Sequence, residues 1–73
     1  MIAIQIVSFI YPERTIIAEI MMRHLGFPIE RYDEREFWSA VVDEDILKRV
    51  KKVIKLYTDC RVYKLPIIRD DGD

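Results

Sequence analysis

Five cations crowd one short stretch of this chain. Lys48, Arg49, Lys51, Lys52 and Lys55 fall within eight residues, and Arg61 and Lys64 follow soon after. Lysine and arginine at helical spacing can neutralise successive phosphates, so Lys48, Arg49, Lys52, Lys55 and Arg61 form a candidate nucleic-acid-binding set. The plainer alternative is the solvated side of an amphipathic helix. Acids at its start (Asp43, Glu44, Asp45) and bases toward its end are what the helix dipole rewards in any case. Arg61 and Lys64 add to the phosphate reading, because they gather positive charge in one half of the chain.

Aromatic residues offer a second chemistry. Phe9 and Tyr11, with Phe37 or Trp38, have the types needed to stack bases on a sheet. The basic-glycine-aromatic signature of such platforms is missing, since the residues there are Arg35-Glu36-Phe37-Trp38. The preferred use of these side chains is burial against a second copy of the chain, with Val7, Phe9 and Tyr11 on the open sheet face. Ile67 and Ile68 would add to the partner's sheet edge.

Other reactive types lack companions. His24 is expected in the last turn of a helix, where its charge suits the dipole, and no metal-ligand spacing surrounds it. Cys60 reads as a small buried apolar residue. As the only cysteine it excludes an intramolecular disulfide and any cysteine-built zinc or iron–sulfur site. Ser8 has no His/Asp pattern around it, and Asp70, Asp71 and Asp73 read as a solvated acidic tail. No catalytic residue, metal site or cofactor is expected.

These residues must be positioned by few elements. Seventy-three residues allow one domain, placed at residues 1–68, with 69–73 as the tail. Half the chain is apolar and the net charge is −1, a globular composition with no global pull toward nucleic acid. No apolar run is long enough to span a bilayer. The N-terminal run has no basic flank before it and does not read as a signal peptide, so cytoplasmic residence is expected.

The run Ile2–Tyr11 is apolar, rich in β-branched residues and ends at Pro12, so it predicts a central strand. Alternation points Ile2, Ile4, Ile6 and Ile10 one way, and Ala3, Gln5, Val7, Phe9 and Tyr11 the other. Pro12 then starts a helix, with Ile16, Ile17, Ile20, Met21 and Leu25 expected on its core face and Glu19 and Arg23 outside. Gly26 and Pro28 stop it. Ile29–Tyr32, a polar turn at Asp33-Glu34-Arg35 and Phe37–Val42 predict a hairpin. Asp43 caps a second helix whose inner positions are Ile46, Leu47, Val50, Val53, Ile54 and Tyr57. Arg61–Leu65 is the last strand. The order is β-α-β-β-α-β, a ferredoxin-like α+β fold with both helices on one face of an antiparallel sheet.

Three stretches also carry a family likeness: Ile6-Val7-Ser8-Phe9 followed by a helix ending His24-Leu25-Gly26; the Phe37 strand; and Leu47-Lys48-Arg49-Val50 through Asp59-Cys60-Arg61-Val62-Tyr63-Lys64-Leu65. The chain resembles the small CRISPR-associated protein family at the dimeric centre of spacer acquisition, some members of which are metal-dependent nucleases. The resemblance implies a ferredoxin-like homodimer associated with nucleic acid in antiviral defence. That family follows the aromatic at the end of its first strand with a metal-holding aspartate. Here Ile10 follows Phe9, and a hard cation needs oxygen ligands, so a scaffold without the nuclease is expected. Expected partners are a second copy, duplex nucleic acid and a larger protein, with no membrane. The rival from another class is an oligomerising or small-molecule-sensing module. The absence of a glycine-rich loop at Tyr11-Pro12-Glu13-Arg14 weighs against the sensor.

Overall fold

The computed structural model describes residues 1–65; Pro66, Ile67, Ile68 and the acidic end lie outside the described residues. Its elements are β1 (Ile2–Val7), α1 (Glu13–His24), β2 (Glu30–Arg31), β3 (Glu36–Val41), α2 (Glu44–Tyr57) and β4 (Arg61–Lys64). The strands form one antiparallel sheet in the order β2-β3-β1-β4. The most apolar strand is therefore central, as two right-handed βαβ halves require. The fold is ferredoxin-like, with both helices on one face.

The core lies between that face and the helices. Ile4 and Ile6 of β1, Phe37 and Val41 of β3, Ala18 and Met22 of α1, and Leu47, Val50 and Ile54 of α2 are all buried. Local signals explain the boundaries. The Asp43 carboxylate accepts a hydrogen bond from the Ile46 amide at 3.0 Å and starts α2. Gly26 takes φ +91°, and the Phe27 and Gly26 amides donate to the carbonyls of Met22 and Arg23, closing α1 in a Schellman motif. Asp33 Oδ1 accepts from the amides of Arg35 (2.7 Å) and Glu36 (3.0 Å), which turns β2 into β3.

Two expectations need correction. First, β1 stops at Val7. The buried Ser8 donates its amide to Arg35 O, and its hydroxyl accepts from the Tyr11 amide at 3.3 Å. This turn ends strand pairing, so Phe9, Ile10 and Tyr11 lie in the loop before α1, exposed to water. Ile10 does not continue the row of Ile2, Ile4 and Ile6, and Phe9 and Tyr11 do not share the sheet face with Val7.

Second, α1 is rotated about its axis. Thr15, Ala18 and Met22 face the core, while Ile16, Ile17, Ile20 and Leu25 are exposed. Polar anchors set this rotation. The Thr15 hydroxyl lies 2.7 Å from Pro12 O and 3.1 Å from Glu34 O, and it also accepts from Arg31 Nη1 at 3.2 Å. Arg31 Nε donates to Glu19 Oε1 at 2.5 Å, and the guanidinium sits over the Phe37 ring. Buried polar groups favour pairing, and this rotation pairs Thr15, Glu19 and two of the three Arg31 nitrogens, while Arg31 Nη2 has no partner among the described residues. Ala18 then lets the helix approach the sheet closely.

Burial pushes the Glu19 carboxyl up, but hydrogen bonds from Arg23 and Arg31 outweigh that and hold it below the ordinary carboxylate range. A lowered carboxyl contributes stability that is complete above its unfolded value and lost as pH falls through the folded one. Glu19→Gln is accordingly expected to cost about 1–2 kcal/mol at neutral pH. The gap from wild type should close on acidification below the ordinary carboxylate range. Urea midpoints at matched pH values check this, and a gap that widens in acid would contradict it.

Candidate nucleic-acid interface

Helical spacing divides the cations of α2 between two flanks. Lys48, Lys51, Lys52 and Lys55 are exposed and recur at three- and four-residue steps along the side toward β4 and outward to solvent. Lys51 and Lys55 overhang β4, where they line an open groove of about 620 Å³ with Arg61, Thr58, Asp59, Cys60, Val62 and Tyr63. Arg49 goes elsewhere. It lines the apolar cleft between the helices, beside Met21, Leu25, Phe27 and Val53. The structure thus sets Lys51 beside Lys55 over β4, keeps Lys48 and Lys52 on the adjoining surface, separates Arg49, and places Arg61 across from Val7 on the open face of the edge strand, at the rim of the same groove.

The floor of the groove is held from below. Thr58 Oγ1 donates to Ile54 O at 2.8 Å, ending α2, and accepts from the Cys60 amide at 3.1 Å. Cys60 is buried in the core cluster, and burial pushes its thiol up, away from the thiolate. Nearby carboxylates are engaged. Glu44 accepts from Lys64 in a salt bridge, and that bond, against the opposing effect of desolvation, draws its carboxyl below the ordinary range, with the charges of Lys64, Lys51 and Lys48 adding to the pull. Asp59 Oδ1 accepts from the Ser8 hydroxyl at 3.3 Å. Lys64, occupied by Glu44, does not join the groove.

The open sheet face has a different make-up from the one expected. Phe37 is fully buried on the helix side. Trp38 stays on the open face and meets Tyr32, with ring centroids 4.7 Å apart at 48°. Glu36 sits among them, accepting from Gln5 Nε2 (2.5 Å) and Trp38 Nε1 (3.2 Å). Tyr63 lies across from Gln5 on the neighbouring strand. A carboxylate amid the aromatics opposes base stacking, because it would face the phosphate-bearing strand. Val7 is on this face but already buried, and Ile67 and Ile68 fall outside the described residues.

The chain matches no family model, no curated protein and no solved structure. Among the described residues no three His, Cys, Asp or Glu side chains gather as metal ligands, and no helix is long and apolar enough to cross a membrane. His24 is exposed at the end of α1. What the sequence reading missed was Lys51. Its four-residue step to Lys55 was legible, but its place in the groove at β4 depends on how α2 packs over that strand.

Proposed function

We propose that this protein is a homodimeric module that binds the backbone of duplex nucleic acid and does not cleave it. One observation carries the reading: Lys51 and Lys55 of α2 overhang the edge strand β4 and line one open groove with Arg61, which reaches it from the open face of that strand, while the nearby Glu44 is paired with Lys64. None of the three groove cations forms a salt bridge among the described residues, and exposed cations exchange small counterions for phosphates, which drives binding without sequence preference. Lys48 and Lys52 extend the positive surface outward, and two copies would double it. The likeness to the CRISPR spacer-acquisition family supports the same role, that of a scaffold. Ile10 argues against a nuclease, since its side chain offers no oxygen to a cation. The net charge of −1 limits affinity to the micromolar range.

Fluorescence anisotropy of a labelled duplex at low salt, with magnesium or with chelator, tests this. Expected is binding in both conditions and an intact duplex. Chelator-sensitive cleavage that survives repurification would overturn the non-nuclease part. No binding at low salt would leave the rival, an oligomerising module, which the exposed isoleucines of α1 favour.

A further inference from the structure

The outward side of α1 has the make-up of an interface. Ile16, Ile17 and Ile20 are 51%, 42% and 62% exposed and stand on one ridge along the helix. Glu13 and His24 lie on the same line, seven residues before and four after Ile20, at opposite ends of the helix. Neither takes part in the ion pairs of the described residues. Leaving three half-exposed isoleucines in water forgoes roughly 1 kcal/mol for each side chain that a partner could bury. A contiguous apolar ridge with a polar side chain at each end marks a contact surface.

We infer that a second copy of this chain covers the ridge, with the two α1 helices packed antiparallel about a two-fold axis. Self-complementarity decides the occupant. The ridge is symmetric about its middle, so an antiparallel copy sets Ile17 against Ile20 and places Glu13 opposite His24 at both ends. That is the self-complementarity an isologous interface demands. The positive N-terminus of each helix also meets the negative C-terminus of the other. A helix of 12 residues is only about 18 Å long, short of a standard interface by itself. The exposed Tyr11, in the loop just before α1, adds apolar area at that end of the ridge. The inference rests on the homodimer part of the proposed function and relocates its surface from the open sheet face to α1.

Light scattering from micromolar to submillimolar protein reads the mass of wild type, Ile17→Glu/Ile20→Glu and Tyr63→Arg. These side chains are exposed in the single chain, so the variants should keep their fold, which circular dichroism verifies. Expected masses are a dimer for wild type, a monomer for Ile17→Glu/Ile20→Glu and a dimer for Tyr63→Arg, which alters the sheet face. Glu13→Lys should weaken association, and adding His24→Glu should restore it. A wild-type monomer at all concentrations overturns the inference, and one that co-sediments with anionic phospholipid vesicles assigns the ridge to a membrane surface instead. A dimer that survives Ile17→Glu/Ile20→Glu but is lost in Tyr63→Arg overturns it too, while leaving the homodimer intact. Duplex binding measured on the same samples scores the nucleic-acid part separately.

Discussion

Replacing Phe37 by alanine is expected to unfold much of the protein at room temperature. Phe37 is fully buried, pairs across the sheet with Ile6 and supports the Arg31 guanidinium on its ring. Truncating a buried phenylalanine removes its transfer free energy and leaves a cavity, together about 3–5 kcal/mol. A domain of 73 residues has a total stability of roughly 4–11 kcal/mol, so one side chain holds a large share of it. The loss has a second source, because Arg31 would lose the aromatic face that helps to hold it beside Glu19. Lys52→Ala, on the solvent side of α2, should shift stability by no more than about 0.5 kcal/mol. Urea titrations at one fixed protein concentration compare the two, since self-association of any protein makes its midpoint concentration-dependent. Similar midpoints for both variants would mean that the core is misplaced.

The second large effect is on binding. Reversing Lys51, Lys55 and Arg61 to glutamate turns the groove from three positive charges to three negative ones, beside Asp59. Phosphates would then be repelled, and duplex affinity should fall at least about 100-fold, beyond detection for a micromolar binder. The fold should survive, because all three side chains are exposed. Lys55 does sit in the last turn of α2, where a base suits the helix dipole, so its reversal costs a few tenths of a kcal/mol. Arg49→Glu is the internal control. It changes the same net charge per substitution but stands on the opposite flank beside the helix cleft, so its effect should be several-fold smaller. If Arg49→Glu matched any single groove reversal, net charge and not the groove would be the determinant.

Elements with local signals were legible from the chain alone. Asp43 announces α2 by its capping carboxylate, Gly26 ends α1 by its left-handed backbone, and Asp33 turns the hairpin through its own side chain. Each signal acts within three residues or so. The rotation of α1 was not legible, because it depends on Arg31 reaching back 12 residues to Glu19 and 16 to Thr15. Apolar periodicity favoured the isoleucine face, and the polar anchors outweighed it. The end of β1 misled for a related reason: Ile2–Tyr11 is apolar throughout, and Ser8 stops the strand by hydrogen bonds that a hydropathy pattern does not register. The cationic groove was half legible. Lys55 and Arg61 were singled out, but pairing them with Lys51 and setting Arg49 aside required the packing of α2 over β4.

The salt dependence of duplex affinity tests the central claim most directly, since it counts the phosphates that the protein neutralises. Each contact on duplex DNA contributes about 0.9 to the slope of log affinity against log salt. Three groove cations predict a slope of about −2.7 per bound chain, steeper if Lys48 and Lys52 also reach the backbone. Lys55→Ala should make that slope shallower by about one unit, with equal loss on unrelated duplex sequences. A slope near zero, or one that Lys55→Ala leaves unchanged, would contradict a phosphate-binding groove between α2 and β4.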